Sequence, residues 1–346
     1  MNQFWEDKNV LVTGAAGFIG SWLSKELIRL GAHVTALVRD WNPETTLFSK
    51  DDLRNMHLVF GELENYSLLE RILNEYDIDT VFHLGAQTLV EIAFRSPLQT
   101  FESNIRGTYN LLEACRRQGR MVQRILVASS DKAYGESEVL PYVETMPLKG
   151  KTPYDVSKSC TDLIALSYSS SYQLPIVIAR CGNVYGGGDL HWSRIIPGTI
   201  RNILLGKPPL IRSNGKLTRD YLYVQDAVRA YLLMAMNADQ ENVRGEAFNF
   251  GPEQPSSVLE IVDMLQKMMG SSLKPIILHG ASAEIRNQVL DSSKAFQVLE
   301  WSPEYSLTKG ISETIKWYEC YIQKISTPTI KKIIEKIDAN SIPSII

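Results

Sequence analysis

The chain has 346 residues, of which 44% are hydrophobic and 22% are charged, so it can bury the core of one large domain or of two joined domains. Its net charge of −3 gives no electrostatic reason to expect nucleic acid or an anionic membrane as a partner. The four cysteines are far apart and the five histidines form no ligand pattern, which argues against a disulfide framework and a metal site.

The N-terminal residues run directly into a first strand, predicted over residues 10–13. They contain no apolar signal core, and no later segment reaches transmembrane length without charges, so we expect a cytoplasmic protein that does not enter the membrane. A glycine-rich turn follows at residues 14–20. A helix comes next, and its apolar residues recur at Ile19, Leu23, Leu27 and Leu30 before Gly31 ends it.

Apolar runs and helical patterns continue to alternate through the first half of the chain. Strands are predicted over residues 34–38, 58–60, 80–84, 125–129 and 176–180. The most pronounced helical patterns cover residues 103–117 and 153–172. Continuous apolar strands separated by helices are typical of a parallel sheet covered on both faces. The sequence therefore predicts an α/β fold, a Rossmann-type doubly wound parallel sheet with a smaller C-terminal substrate-binding lobe.

The pattern becomes irregular after Gly182, where glycine and proline break the chain into short elements. We therefore expect a dinucleotide-binding Rossmann domain over residues 1–181 and a mainly substrate-binding lobe, interleaved with it, over residues 182–320. The tail, residues 321–346, has no role that the sequence reveals, although residues 331–337 could form a short amphipathic helix.

A glycine-rich turn between a first strand and a helix suits the pyrophosphate of a dinucleotide. Gly14 permits the tight turn, Gly17 lets the backbone approach the phosphates, and Gly20 lets the helix pack closely on the strand. The spacing is Gly-x-x-Gly-x-x-Gly, and its place directly after the first strand makes it indicative of a nicotinamide cofactor site.

The end of the second strand bears on the choice between NAD and NADP. An acidic residue there would bind the ribose hydroxyls of NAD, whereas an arginine would suit the 2′-phosphate of NADP. Arg39 follows the last apolar position and favours NADP slightly, but Asp40 could reach back and Arg39 could be a solvated surface residue. Glu62, after the third strand, could meet the adenine amino group or be exposed.

A candidate catalytic set follows from Tyr154 and Lys158, which share one helix face four residues apart. A nearby ammonium group lowers a phenol's pKa, so the tyrosinate could act as a base towards a sugar hydroxyl. Ser130, at the end of a predicted strand, completes a Ser–Tyr–Lys set of the kind that transfers hydride at a carbinol carbon.

These motifs together resemble the nucleotide-sugar epimerases and dehydratases of the extended short-chain dehydrogenase/reductase family over roughly residues 5–320. The segments that carry the resemblance are residues 14–20, His83-Leu84-Gly85-Ala86-Gln87, Ser129-Ser130-Asp131-Lys132-Ala133-Tyr134-Gly135, Tyr154-Asp155-Val156-Ser157-Lys158 and Arg219-Asp220-Tyr221-Leu222-Tyr223-Val224. Within that family the chain is most similar to the CDP-glucose 4,6-dehydratases. The features behind this narrower likeness are Phe4-Trp5, Gly20-Ser21-Trp22-Leu23, Ala86-Gln87, Ser130-Asp131-Lys132, Gly182-Asn183-Val184 and Gly186-Gly187-Gly188-Asp189.

The resemblance implies a role for each catalytic candidate. Tyr154, with Ser130 and Lys158, removes the C4 hydroxyl proton while hydride passes to the nicotinamide. A base then removes the acidified C5 proton, Asp131 protonates the leaving C6 hydroxyl, and hydride returns to C6, so the cofactor is regenerated. Lys132 stands at the base position, and it could otherwise be an ion-pair partner of Asp131 or a phosphate ligand.

The resemblance also implies the binding residues. Cofactor contacts are expected from Gly14, Gly17, Phe18, Ile19, Gly20, Arg39, Glu62, Leu63, Ala86, Tyr154 and Lys158. Contacts to a nucleotide-diphosphate sugar are expected from Gln87, Asn183, Arg194, Arg219 and Arg286. Guanidinium groups suit a diphosphate because they bind it in a bidentate way.

Three functions remain open at this point: a 4,6-dehydratase, an epimerase that uses the same Ser–Tyr–Lys set, and a cofactor-binding regulatory protein without catalysis. The intact Ser130, Tyr154 and Lys158 speak against the third. We also expect a homodimer, because the helices at 103–117 and 153–172 carry apolar residues beyond what the sheet needs. Those residues are Ile105, Tyr109, Leu112, Leu163, Ile164 and Tyr168. The nucleotide base and the sugar are not specified by the sequence.

Overall fold

The computed structural model describes residues 2–41, 47–278, 280 and 285–325. The helices are α1 (Asn2–Trp5), α2 (Phe18–Arg29), α3 (Lys50–Arg54), α4 (Tyr66–Glu75), α5 (Val90–Arg95), α6 (Pro97–Phe101), α7 (Gly107–Arg117), α8 (Pro153–Tyr172), α9 (Ile195–Leu204), α10 (Val224–Met236), α11 (Val258–Met268), α12 (Ser293–Leu299) and α13 (Leu307–Ile325). The strands are β1 (Asn9–Thr13), β2 (His33–Val38), β3 (Met56–Phe60), β4 (Thr80–His83), β5 (Arg124–Ala128), β6 (Ile176–Cys181), β7 (Asn183–Tyr185), β8 (Leu210–Ile211), β9 (Thr218–Arg219), β10 (Tyr221–Tyr223), β11 (Ala247–Phe250), β12 (Ser256–Ser257) and β13 (Ile276–Ile277).

Seven strands form one sheet in the order β3-β2-β1-β4-β5-β6-β11, and every neighbouring pair is parallel. Val10 of β1 faces Val34 of β2 on one side and Thr80 of β4 on the other. The chain therefore adds β2 and β3 on one side of β1, and then crosses back to add β4 and the later strands on the other side. This reversal opens a crevice at the carboxyl ends of β1 and β4, where α/β proteins bind their ligands.

Helices cover both faces of the sheet, as a sheet of continuous apolar strands requires. On one face, Leu23 and Leu27 of α2 pack with Tyr231 of α10. On the other face, Leu69 of α4 and Ala165 of α8 belong to a second buried cluster. The prediction of a doubly wound parallel sheet is confirmed.

The predicted strands agree with β1 to β6 to within two residues at each end, and the predicted helix over residues 153–172 is α8. Outside the lobe, two elements differ from the sequence pattern. The predicted helix over residues 103–117 opens with a π-helical turn, Glu102–Arg106, and becomes α-helical only at Gly107. Strand β11 was not predicted, because its four residues include the buried polar Asn249 and so do not form an apolar run.

The second half of the chain is divided between the sheet and a small lobe. Strand β11 and helix α10 return to the large sheet, whereas three two-stranded sheets, β7 with β10, β9 with β12 and β8 with β13, lie outside it. The division into residues 1–181 and 182–320 stays a prediction. Helix α13 runs to Ile325, and the predicted helix over residues 331–337 lies outside the described residues. No helix of the described chain is both long and apolar enough to cross a membrane.

Candidate active site

The glycine turn after β1 is built around close backbone contacts. Gly14 has φ +68°, and a Cβ there would lie 2.8 Å from the Cα of Gly85. A Cβ on Gly20 would collide with the carbonyl oxygen of Gly14, which also accepts a hydrogen bond from the Gly17 nitrogen at 2.9 Å. Side chains are thus excluded at Gly14 and Gly20, and the turn stays compact enough for its backbone to approach a ligand.

Helix α2 begins directly beyond this turn. Its N-cap, Gly17, has an extended backbone, and no side chain of the described residues caps the helix. The first-turn N–H groups of Phe18 and Ile19 therefore keep the partial positive charge of a helix N-terminus, which attracts an anion. A dinucleotide pyrophosphate fits both this charge and the compact glycine turn.

Hydrogen bonds of the buried His83, at the end of β4, connect the end of β1 to α7. The Thr13 hydroxyl accepts hydrogen bonds from the backbone nitrogens of Leu84 and Gly85, at 3.1 and 2.9 Å, and so donates its proton to Nδ1 of His83 at 2.9 Å. The Nε2 of His83 then donates to the hydroxyl of Thr108 in α7 at 3.0 Å. Burial, and secondarily the charge of Lys158, lowers the pKa of His83 to about 3, so the ring stays neutral.

The residues expected near the adenosine lie at the rim. The Arg39 Nε donates to Oδ2 of Asp40 at 2.7 Å, and both side chains are largely exposed. Glu62 is exposed, whereas Leu63 is buried, and a Cβ on Gly85 would touch its Cδ1. The NADP preference suggested by Arg39 stays a prediction, because its guanidinium is held by a neighbouring carboxylate that would compete with a phosphate.

Helix α8 supplies the tyrosine and the lysine. Its N-cap Thr152 accepts a hydrogen bond from the Asp155 nitrogen at 3.4 Å, and Pro153 occupies the first helical position, so Tyr154 falls in the first turn. One turn later Lys158 is buried, and its Nζ donates to the carbonyl of Ala128 at 2.7 Å. Burial lowers the pKa of Lys158 to about 8.

The electrostatic environment of Tyr154 differs from the prediction. We expected the neighbouring lysine to lower the phenol's pKa, but burial dominates and raises the pKa of Tyr154 well above its ordinary value. The positive charge of Arg194 and a hydrogen bond with Ser130 act in the opposite direction. The phenol is therefore neutral at rest, and these two groups favour its loss of a proton.

The Asp131–Lys132 pair follows Ser130 in a 3-10 helical turn, Asp131–Tyr134. The Ser130 hydroxyl donates to Oδ1 of Asp131 at 2.9 Å, and Nζ of Lys132 lies 3.5 Å from the same oxygen. Asp131 is 1% exposed, and its Oδ2 finds no hydrogen-bond partner within the described chain. A buried carboxyl oxygen without a partner is suited to meet a substrate group.

Asn183 and Arg194 lie close to this pair and to the tyrosine. Asn183 Oδ1 accepts a hydrogen bond from Lys132 Nζ at 3.3 Å. Arg194 is held by Asp189, with 2.9 Å between its NH1 and Oδ2, and it is near enough to Tyr154 to lower that residue's pKa. Both therefore face the catalytic set from the lobe.

The other substrate candidates are placed differently. Gln87 donates through its side-chain amide to the carbonyl of Leu89. Arg219 is buried, and its NH1 donates to the carbonyl of Arg286 at 3.1 Å. The Arg286 side chain is 85% exposed, with its Nε 3.8 Å from the Glu136 carboxylate. Their contacts with a substrate stay predictions.

Comparison with known proteins bears on the family. A family model described as GDP-mannose 4,6 dehydratase matches residues 11–314. The chain belongs to this family. A relative, CDP-glucose 4,6-dehydratase from Salmonella typhimurium, is 32% identical, with 92% of this chain and 93% of the relative covered.

Solved structures similar to this GDP-mannose 4,6 dehydratase family member include both reaction types considered above. UDP-glucose 4-epimerase from Thermotoga maritima, solved with UDP-glucose, has a TM-score of 0.82 at 30% identity, and the match covers 91% of this chain and 99% of that one. The dTDP-glucose 4,6-dehydratase of Bacillus anthracis, in complex with NAD, has a TM-score of 0.80 at 28% identity, covering 90% and 96%. The predicted membership of the extended short-chain dehydrogenase/reductase family is confirmed.

Sequence reasoning missed two residues that shape the site of this family member. Asn104, in the π-helical turn, accepts from the Gln87 nitrogen at 2.7 Å and donates to the Gln87 carbonyl and to the Ser157 hydroxyl, both at 2.9 Å. Gln288, from the lobe, contacts Lys132. Neither belongs to a short motif, and only the fold brings them in. Among the described residues, no cluster of three His, Cys, Asp or Glu side chains could hold a metal.

Proposed function

We propose that this chain is a nucleotide-sugar 4,6-dehydratase whose substrate is CDP-glucose, converted to CDP-4-keto-6-deoxyglucose. The observation that carries the proposal is the buried Asp131, with one carboxyl oxygen unpartnered among the described residues and the other shared by Ser130 and Lys132. An epimerase moves hydride at C4 alone and needs no acid–base pair beyond the Ser–Tyr–Lys set. A dehydratase needs both an acid and a base next to that set.

The cofactor of the proposed reaction is NAD or NADP, with a slight preference for NADP from Arg39. When bound, the dinucleotide supplies the hydride acceptor for C4 and the hydride donor for C6. The turn Gly14–Gly20 and the first turn of α2 would hold its pyrophosphate, and Lys158 would meet the nicotinamide ribose. Glu62, Leu63 and Ala86 would line the crevice and contact the cofactor on its adenosine side.

In the first step the neutral phenol of Tyr154 gives up its own proton to solvent, and the tyrosinate then accepts the proton of the C4 hydroxyl while hydride leaves C4. Ser130 hydrogen-bonds the phenol, and the positive charge of Arg194 stabilises the tyrosinate that forms. Because burial raises the pKa of Tyr154, the tyrosinate, once formed, is a strong base towards the C4 hydroxyl. The product is a 4-ketone that acidifies the C5 proton.

In the second step a proton first passes from Nζ of Lys132 to Asp131 across their ion pair. The lysine Nζ then takes the C5 proton, and the electron pair of the C5–H bond forms the C5–C6 double bond. The C6–O bond breaks, and the leaving oxygen takes a proton from Asp131, so one water departs. The 3.5 Å separation of the two side chains suits an acid and a base that act on adjacent carbons. The C5 position afterwards recovers a proton from the lysine.

The experiment is incubation of the purified protein with CDP-glucose, and with dTDP-, UDP- and GDP-glucose, followed by mass spectrometry. CDP-glucose should lose one water without net consumption of nicotinamide, and deuterium placed at C4 should reappear at C6 of the same molecule. Sugars that keep their mass and only invert a carbinol centre would instead make the protein an epimerase.

The proposal includes a homodimer formed by α7 and α8. Leu163 and Tyr109 support it, because they remain 55% and 39% exposed on these helices. Leu112, which we expected on the same face, is wholly buried in the core of the chain and is excluded from this role. Ile105, Ile164 and Tyr168 are partly buried.

A further inference from the structure

Gln288 reaches the Asp131–Lys132 pair although 156 positions separate it from Lys132. Its side chain is 1% exposed, and its Oε1 accepts from Nζ of Lys132 at 3.5 Å. Its Nε2 is buried and makes no hydrogen bond within the described part of the chain. The opposite orientation of the amide would point an NH2 group at the lysine, so the oxygen belongs on the lysine side.

The backbone around Gln288 is fixed from several directions. The Gln288 nitrogen donates to the carbonyl of Thr218 at 3.1 Å, and the Leu290 nitrogen donates to Oδ2 of Asp220 at 2.9 Å. Between them, the carbonyl of Val289 accepts from the Tyr142 nitrogen at 2.8 Å. Because both flanks are anchored, the side chain is presented to Lys132 from a rigid base.

The chemistry of the contacts suggests what Gln288 does. Nζ of Lys132 forms an ion pair with Asp131 and contacts two amide oxygens, from Gln288 and from Asn183, and its charge also acts on the Asp155 carboxyl. A carboxylate favours the charged ammonium, whereas a neutral amide oxygen holds the nitrogen in place with a smaller bias towards the protonated form. A lysine that must act as a base needs this second kind of partner.

We propose that Gln288 is a positioning residue for the dehydration step, which holds Lys132 Nζ where it meets the C5 proton. This inference rests on the proposed function. The free Nε2 of Gln288 and the unpartnered Oδ2 of Asp131 then offer one donor and one acceptor to the sugar. Gln288 reaches Ser130 only through Lys132 and Asp131, so oxidation at C4 should depend on Gln288 much less than water loss does.

The test compares Gln288→Met with the wild type in a single turnover of CDP-glucose. Methionine fills a similar volume without hydrogen bonds, so packing is retained. Formation of reduced nicotinamide, followed by its near-ultraviolet absorbance, should change less than about twofold. Reoxidation and loss of water, followed by absorbance and mass spectrometry, should slow roughly 10- to 100-fold, the range for a lost hydrogen bond to a charged group. If Gln288→Met and the wild type show equal rates of reoxidation and water loss, the inference is overturned.

Asn287→Ala is the matched control, because Asn287 lies on the same segment, is exposed and accepts a hydrogen bond through Oδ1 from the Thr218 hydroxyl at 2.8 Å. It should leave both phases unchanged, and a slow second phase in this control would mean that loosening the segment is enough. Thermal melting checks folding. Should Gln288→Met fail to fold, Gln288→Leu takes its place.

A double-mutant cycle shows whether Gln288 acts through Lys132. If it does, Gln288→Met should cause no further slowing in a Lys132→Met background. If the double variant is instead slowed by the product of the two single-variant effects, the inference is overturned. A wild type that never releases water would instead refute the proposed function, so the two failures are distinguishable.

Discussion

The neutral His83 should make the protein sensitive to acid in a specific way. Its pKa is about 3 in the fold and about 6.5 in the unfolded chain, so between these values the unfolded state binds a proton that the folded state does not. Stability contributed by this residue is constant above about pH 6.5 and falls as the pH drops towards 3. Lowering the pH from 7 to 5 should cost about 2 kcal/mol through this group alone.

The perturbation that isolates this effect is His83→Gln. A glutamine can accept from Thr13 and donate to Thr108 as the neutral ring does, but it does not titrate. Urea unfolding of both proteins at pH 7 and pH 5 gives the two changes in unfolding free energy. The wild type should lose about 2 kcal/mol more than the variant on acidification. Other titrating groups, such as Asp220 with its pKa raised to about 6 by burial, contribute equally to both and cancel. Parallel losses in the two proteins would refute the reasoning.

Three further predictions concern function and assembly. Asp131→Asn keeps an oxygen for the Ser130 hydroxyl, so C4 oxidation should remain measurable in a stopped-flow experiment while water loss slows roughly 10²- to 10⁴-fold; the exposed Glu138→Gln serves as the control and should behave like the wild type. Arg39→Ala should weaken NADP binding more than NAD binding in calorimetric titrations, and equal losses would remove the preference for NADP. Leu163→Arg places a charge on a half-exposed residue, so the monomer should melt as before while light scattering shows dissociation of the dimer; a wild type that is already monomeric at micromolar concentration contradicts the proposed dimer.

Most of the large sheet could be predicted from the sequence, because buried parallel strands are apolar throughout and their helices have a clear period. The lobe could not be predicted in the same way. Its strands β8, β9, β12 and β13 have two residues each, too short to show any alternation. The π-helical turn before α7 was also invisible, because one extra residue in a helical turn barely alters the apolar pattern.

The residues of the candidate site likewise fall into those that the sequence predicts and those that only the fold reveals. Ser130, Tyr154 and Lys158 could be found because their spacing on a strand end and a helix has a chemical meaning. The pKa of Tyr154 could not, since burial raises it and burial depends on the whole fold. Gln288 could not be found either, because nothing near it in sequence indicates that it meets Lys132.

The return of β11 to the large sheet limits how this enzyme could be re-engineered. The chain passes from the large sheet into the small lobe twice, after β6 and after β11. These two strands are neighbours, and their ends are joined by a hydrogen bond from the Gly182 nitrogen to the Phe250 carbonyl at 3.1 Å. The first excursion carries Asn183 and the second carries Gln288, and both touch Lys132. A transplant of sugar specificity from a relative would therefore have to exchange both excursions together, since a graft of either one alone would leave the lysine with a mismatched partner.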